Sequence, residues 1–527
     1  MQRSIIILAF AAATCSLHAQ NSRTDIRYER LHHAEMNYLN NIYLDTDNPI
    51  QLSFNTVTSF LAADVSGEWQ NGDFRAMDQS PRYGGLNVHI WGLQDFGRLK
   101  VSGDIEYINS SDKDHRWNNT MMVSPLNPFF VADSLPSDVT TDRFAMHAAA
   151  SYHFSDRWTG ALQLKYTTGS LADQSDPRPK TNAMRFNMKP GVLFQLNEKL
   201  SVGADASVEL FRSDINFAIE NPLNPYTYFV MKGMGDHLIL NNSETGNRPR
   251  DYRGTTIGAA VQAVYQGSAL SNTLQLAFTT NSENSIDGGQ KFEYRTGDYR
   301  KSGLSLYDRV RYMRNDDAQH NLTLSASYLT DKGYWYDQQR KSDTEHGNRI
   351  YYEILNKSQI HSNSMLTARM AYSYDRFQQD RPRSKTGGSI QATHLSAEHY
   401  EADTNKQHYT VLTCQANRQQ FWNLGKARVE GLLDVGYTLP LGTHYEDVRG
   451  KMADFYERPA FEYATASHLD IRVRGAYHHP VSINGQYAWF GLFAQVGTAV
   501  YTGQNETSPV FDGTSRTVVS TGVQLTF

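Results

Sequence analysis

Apolar side chains fall on every second residue along most of this chain. From Trp158 to Thr167 one face carries Trp158, Gly160, Leu162, Leu164 and Tyr166, while Thr159, Ala161, Gln163, Lys165 and Thr167 fall on the other. Between Leu200 and Leu210 the even positions are apolar and the odd ones are Ser201, Gly203, Asp205, Ser207 and Glu209. The stretches 321–328, 427–437 and 469–477 repeat the pattern. A period of two marks a strand with one greasy and one polar face. These runs last eight to eleven residues, well beyond the usual strand of a soluble sandwich and close to one tilted membrane crossing. The pattern places strands near 52–69, 86–95, 98–109, 142–154, 157–168, 183–196, 199–213, 252–265, 271–281, 302–313, 319–330, 350–361, 364–376, 406–422, 426–439, 465–478, 486–501 and 517–527. That makes eighteen, with 14 or 16 as the alternatives, since the first strand and the region 377–422 carry the weakest pattern.

The connections alternate too. Short polar turns such as Ser155-Asp156-Arg157 and Asn197-Glu198-Lys199 give way to long polar loops at 109–141, 216–251, 282–301, 331–349, 377–405, 440–464 and 502–516. Short turns at one end and long loops at the other suit an antiparallel barrel in an outer membrane. Composition agrees. The 527-residue chain has a mean hydropathy of −0.56, 31 tyrosines and a net charge of −5, and no apolar run after residue 13 is long enough for a membrane helix. The charge does not suggest a nucleic-acid partner. The opening MQRSIIILAFAAATCSLHAQ reads as a secretory signal peptide over 1–19, and Ala12-Ala13-Thr14 is a poor lipidation motif before Cys15. Cys414 would then stand alone, without a disulfide in the mature chain. The expected fold is therefore all-β: a transmembrane up-and-down antiparallel β-barrel over 51–527, preceded by a periplasmic or plug segment over 20–50.

The last eight residues, STGVQLTF, carry a resemblance. Ser520, Gly522, Leu525 and Phe527 match the C-terminal assembly signal of Gram-negative outer-membrane barrels: polar, x, Gly, x, x, apolar, x, aromatic. The resemblance implies a Gram-negative outer-membrane location and recognition by the barrel-assembly machinery. It names no subfamily; in length and tyrosine-rich loops the chain resembles poorly characterised barrels of about 500 residues. Residues 25–44, with Leu31, Tyr38 and Ile42 on one helical face behind Asp25, predict a short helix. This is similar to barrels with an N-terminal hatch, such as the long-chain fatty-acid transporter family; a surface-lying leader is the alternative.

The inward face carries the candidate chemistry: Lys165, Asp205, Glu209, Arg309, Arg311, Arg428, Glu430, Asp434, Asp470, Arg472 and Arg474. An Arg or Lys facing lipid at mid-depth costs about 2–4 kcal/mol, so these belong in a wet lumen. Asp308 breaks the alternation of its strand. Two long loops share Pro-Leu-Asn-Pro followed by aromatics. Similar turn chemistry explains this, while a cap presenting Phe129, Phe130, Tyr226, Tyr228 and Phe229 to a planar or sugar ligand is the sharper alternative. His394, His399 and His408 are candidate metal ligands, although their spacing fits no fixed zinc signature. No nucleophile elbow, P-loop, zincin or dinucleotide motif is present, so neither an enzyme nor a cofactor is expected. The expected role is passage of a small polar or nutrient solute through a loop-constricted lumen. The alternative is a non-transporting barrel acting as scaffold or surface-binding component of an uptake or secretion complex. Expected partners are outer-membrane lipid, the assembly machinery and an uptake-complex protein.

Overall fold

The computed structural model describes residues 48–527 except 55–58, 222, 224–226, 241–248, 289–292, 316, 344–348, 379–380, 401–404, 447–451, 484–485 and 504–509. The signal peptide expected over 1–19 and the helix expected over 25–44 lie outside the described residues. Twenty strands form one sheet. They are β1 (Ser59–Gly72), β2 (Arg82–Asp95), β3 (Leu99–Asn118), β4 (Val131–His153), β5 (Trp158–Asp173), β6 (Lys180–Gln195), β7 (Leu200–Asn216), β8 (Tyr228–Gly233), β9 (Asp236–Leu240), β10 (Arg250–Gln266), β11 (Leu270–Asp287), β12 (Tyr294–Asn315), β13 (Ala318–Asp343), β14 (Arg349–Gln378), β15 (Arg381–His399), β16 (Asn405–Leu424), β17 (Ala427–Tyr445), β18 (His468–Ile483), β19 (Gln486–Tyr501) and β20 (Ser515–Thr526). A π-turn at Ala453–Glu457 leads into the one α-helix among the described residues, α1 (Arg458–Ala464).

Eighteen of these strands close into an antiparallel ring. β7 pairs directly with β10, leaving the hairpin β8–β9 outside the wall. β1 pairs with both β2 and β20, which removes every free edge. Phe527 completes the seam: its N–H donates to Leu61 O at 2.7 Å, and Leu61 N–H donates back at 3.1 Å.

The expected count holds, but two assignments change. The stretches 350–361 and 364–376 are one continuous strand, β14, thirty residues long. His361-Ser362-Asn363-Ser364 looks like a turn because it is polar, yet it stays in register with 396–399 of β15. His361 and Asn363 are buried inward. Conversely, 381–399, expected within a loop, is strand β15. Apart from Ile390, its outward positions, including Thr386, Gly388, Ala392 and His394, are small or polar, so no greasy alternation marks it. The first strand also starts later than expected. Residues Pro49–Phe54 form a 3-10 turn inside the ring, with Ile50 fully buried. Gly203 makes room there: a Cβ on it would come within 2.3 Å of Ile50 Cδ1.

Outward positions form an apolar belt. On β4 they are Phe144, Met146, Ala148, Ala150 and Tyr152; on β18, Leu469, Ile471, Val473, Gly475 and Tyr477. Met146, Tyr152, Ile471 and Val473 are each more than 40% exposed, which an aqueous surface would not favour across a whole ring. Above the belt many strands run on. β3 and β4 reach Asn118 and Val131, so the loop expected at 109–141 shrinks to its centre.

Candidate functional site: the lumen and its internal cap

The inward face divides into tiers. The upper tier is filled by the chain itself. Residues 119–131 and the hairpin β8–β9 fold into the ring and join: Val131, Ala132 and Asp133 pair with Val230, Phe229 and Tyr228. Phe129, Val131, Tyr228 and Val230 pack against wall residues Phe211, Ile215, Tyr252, Tyr299, Trp335 and Ile360 in one cluster. Phe129 and Tyr228 are at most 1% exposed. Gly297 admits the Phe129 ring, since a Cβ there would sit 2.6 Å from it. The two Pro-Leu-Asn-Pro loops therefore do meet. Of their described aromatics, Phe129 and Tyr228 lie in a dry core, while Phe130 and Phe229 are partly buried. Phe130 and Phe229 pack beside a second cluster of Trp117, Ala132, Met231 and Met452. Tyr226 lies outside the described residues.

Polar latches tie this cap to the wall. The Glu283 carboxylate accepts from Ser124 Oγ at 2.5 Å, Asn127 Nδ2 at 2.9 Å and Ser124 N–H at 3.3 Å. Arg250, fully buried, pairs with Asp287 (Nη2 to Oδ2, 2.9 Å). It also donates to the carbonyl of Phe129, as does the Tyr252 hydroxyl at 2.9 Å. Thr181 Oγ1 donates to Asn119 O at 2.6 Å, and Arg185 donates to Met122 O. On the far side of the ring, Asp236 binds both Lys232 and His399 at 3.1 Å. Burial pushes the Asp133 carboxyl, high on β4 above the belt, up to about 7. It likewise raises Glu457, in the loop before α1, and the Tyr228 hydroxyl. Sequence reasoning missed Glu283, Arg250 and Asp287. Their strands alternate like any others, and the partners lie 37 to 159 residues away.

The middle tier is different. Thr279, Ser305, Ser327, Arg369, Gln415 and Arg472 all point inward at mid-height and are exposed to the lumen. Nearer the periplasmic turns, Thr273, Asn321, Arg428 and His478 are buried again. The structure thus describes a polar chamber between a packed roof and a packed floor.

All the inward charges expected from parity lie on the inner wall, mostly in pairs. Arg474 and Glu430 stand 3.3 Å apart, Arg472 and Asp434 2.5 Å, and Arg185 and Glu209 3.0 Å. Arg428 stacks on Phe421 at 4.3 Å, Arg311 donates to Asn321 at 3.5 Å, and Asp470 meets His468 at 3.3 Å. Arg309 and Asp205 are buried, while Lys165 is half-buried opposite His147. The pairing is lateral: Glu430 and Asp434 of β17 sit beside Arg474 and Arg472 of the neighbouring β18. The three candidate metal histidines do not meet. His399 points inward to Asp236, whereas His394, bound to Thr410 at 3.0 Å, and His408, stacked on His444 at 5.0 Å, point outward. Within β15 the odd separation of 399 and 394 puts them on opposite faces, and His408 on β16 pairs in register with outward Ser396. Among the described residues no group of three or more His, Cys, Asp or Glu side chains is placed to hold a metal ion. At the C-terminus Ser520 and Gly522 face inward, with Ser520 donating to Glu68 at 3.3 Å, while Leu525 faces outward.

A closed ring with a greasy exterior, a polar interior and short turns at one end is an outer-membrane β-barrel of the Gram-negative type. Within that class, the chain belongs to a family of unknown function, DUF6850, whose model matches residues 49–527. No curated protein matches it. Among solved structures it is similar to the copper transporter OprC (8% identity, 89% of this chain and 80% of that one, TM-score 0.39). It is also similar to the FrpB iron transporter from Neisseria meningitidis (11%, 92% and 83%, 0.39) and to the RagAB peptide importer in its closed-closed state (8%, 89% and 86%, 0.35).

Proposed function

We propose that this barrel passes a small polar solute across the outer membrane through a gated lumen, without chemistry. The observation that carries this reading is the mid-level chamber, whose inward Arg369, Gln415 and Arg472 stay exposed while the tier above is packed as tightly as a protein core. A barrel needing only a filled scaffold gains nothing from a solvated tier with charges in it. The cap is the gate. Its attachments are hydrogen bonds and ion pairs to individual wall residues, which a solute or a periplasmic partner can exchange for its own.

Purified protein in planar bilayers tests this. The intact chain should be closed for most of the recording. A variant with residues 228–240 replaced by a short Gly-Ser link should show discrete, long-lived open steps. The packed cap also favours a second reading, a non-transporting component of an uptake or secretion complex. That reading predicts a silent baseline in both proteins.

A further inference from the structure

The outside of the ring carries an anomaly. Among the described residues, outward positions within the belt are apolar, small or uncharged, with two exceptions at depth: Asp308 on β12 and Arg418 on β16. Parity fixes both. Asp308 pairs in register with Leu274 and Leu324, and Arg418 with Thr386 and Leu433, all outward residues. Each is hydrogen-bonded by uncharged outward neighbours, which leave its charge in place: Asn272 Nδ2 donates to Asp308 at 2.5 Å, and Arg418 donates to Gln420 at 3.0 Å and to Thr386. An ionised group facing hydrocarbon is costly and is selected against unless something polar meets it.

Three features of this wall say what meets it. The charges have opposite sign. They stand at matching heights: Asp308 lies seven residues above the end of its strand (315 − 308) and Arg418 six (424 − 418). Between them one row of small outward residues, Ala326, Ala368 and Ala392, crosses β13, β14 and β15, a groove bordered by Leu324, Met370 and Ile390 on one side and Tyr328 and Leu366 on the other. Small residues let two backbones approach closely in a membrane.

We propose that the β12–β16 wall is a homodimer face, with a second copy of this chain related by a two-fold axis that runs along the membrane normal past β14. A two-fold face is self-complementary, so a patch with one sign on each flank meets its own reverse. Each Arg418 then faces the partner subunit's Asp308 across the alanine row, shielded from lipid.

The test uses full-length protein in detergent micelles and in nanodiscs. Met370, outward on β14 and 50% exposed, lies near the axis; Val261, outward on β10 and 58% exposed, lies far from this wall. In a Cys414→Ser background, Met370→Cys should cross-link into dimers with a short bis-maleimide at least tenfold more than Val261→Cys. Light scattering should give a dimer for the wild type. Asp308→Arg or Arg418→Asp alone should reduce the dimer fraction at least tenfold, and the double reversal should restore it. Heat-modifiable migration on gels confirms that each variant is a folded barrel. A monomeric wild type whose two cysteine variants cross-link alike overturns the proposal. So does a dimer indifferent to both single reversals, or a Met370→Cys product containing a different protein.

Discussion

The cap and the chamber beneath it are built on the same strands from the same kind of residue, yet one is dry and the other wet. On β11, Glu283 and Thr279 are inward neighbours two positions apart in the inward series. Glu283 is 1% exposed and accepts three hydrogen bonds from the cap, while Thr279 faces solvent. What separates them is whether another stretch of chain lies across the wall at that height. An inward polar side chain in a barrel therefore has no fixed meaning. Under a folded loop it becomes a latch whose removal leaves a buried group unpaired; above open lumen it is solvated and cheap to change.

The sharpest way to break the contrast is to remove the roof. Deleting 228–240 should convert a silent membrane into one with open-channel current, the largest effect expected from any change here. Next comes Arg250→Ala. It strands the Asp287 carboxylate in a buried site and should destabilise the cap by about 3–5 kcal/mol, seen as proteolysis of 119–131 and 228–240 at protease levels the wild type resists. Phe129→Ala should cost a similar or slightly smaller amount, about 3–5 kcal/mol, by emptying the centre of the aromatic cluster. The reading of the cap as a core fails if Phe129→Ala leaves its protection unchanged.

A smaller effect follows from Asp133, held near 7 by burial against an unfolded value of about 3.9. Between those values the folded cap holds a proton that the unfolded chain has lost, so stability falls with rising pH there. Cap protection should be fullest below about pH 4, decline as pH climbs through about 7, and lose that slope in Asp133→Asn. Smallest of all, Arg369→Gln in the chamber should shift stability by less than about 0.5 kcal/mol. In the cap-deleted channel, however, it should move the reversal potential toward cation selectivity. An equal loss of cap stability from Arg369→Gln and Arg250→Ala would erase the distinction between the tiers.

The ring was legible in the sequence because alternation is a local signal. The expected eighteen strands match the observed eighteen partly because two differences cancel: alternation splits β14 into two strands and leaves β15 as a loop. Both trace to one assumption, that a wall strand must be greasy outside. Ser362 and Ser364 sit outward toward the upper end of β14, and Gly388, Ala392 and Arg418 line the wall argued to be a subunit face. Glu430, Asp434, Arg472 and Arg474 share one parity within their strands, but their pairing depends on strand register, which alternation alone does not fix. The cap was least legible. Its core joins Phe129 to Tyr299, Trp335 and Ile360, contacts that span hundreds of residues and leave no periodic trace.

The 3-10 turn at Pro49–Phe54 has a consequence for assembly. It occupies the inside of a ring that is sealed only when β1 and β20 zip together, strands 443 residues apart in chain order from Gly72 to Ser515. The turn packs on the inner faces of β4, β5 and β6, strands that pair with one another whether or not the seam has formed. It can therefore dock on an open sheet, and zipping the first strand to the last then wraps the wall around a passenger already seated.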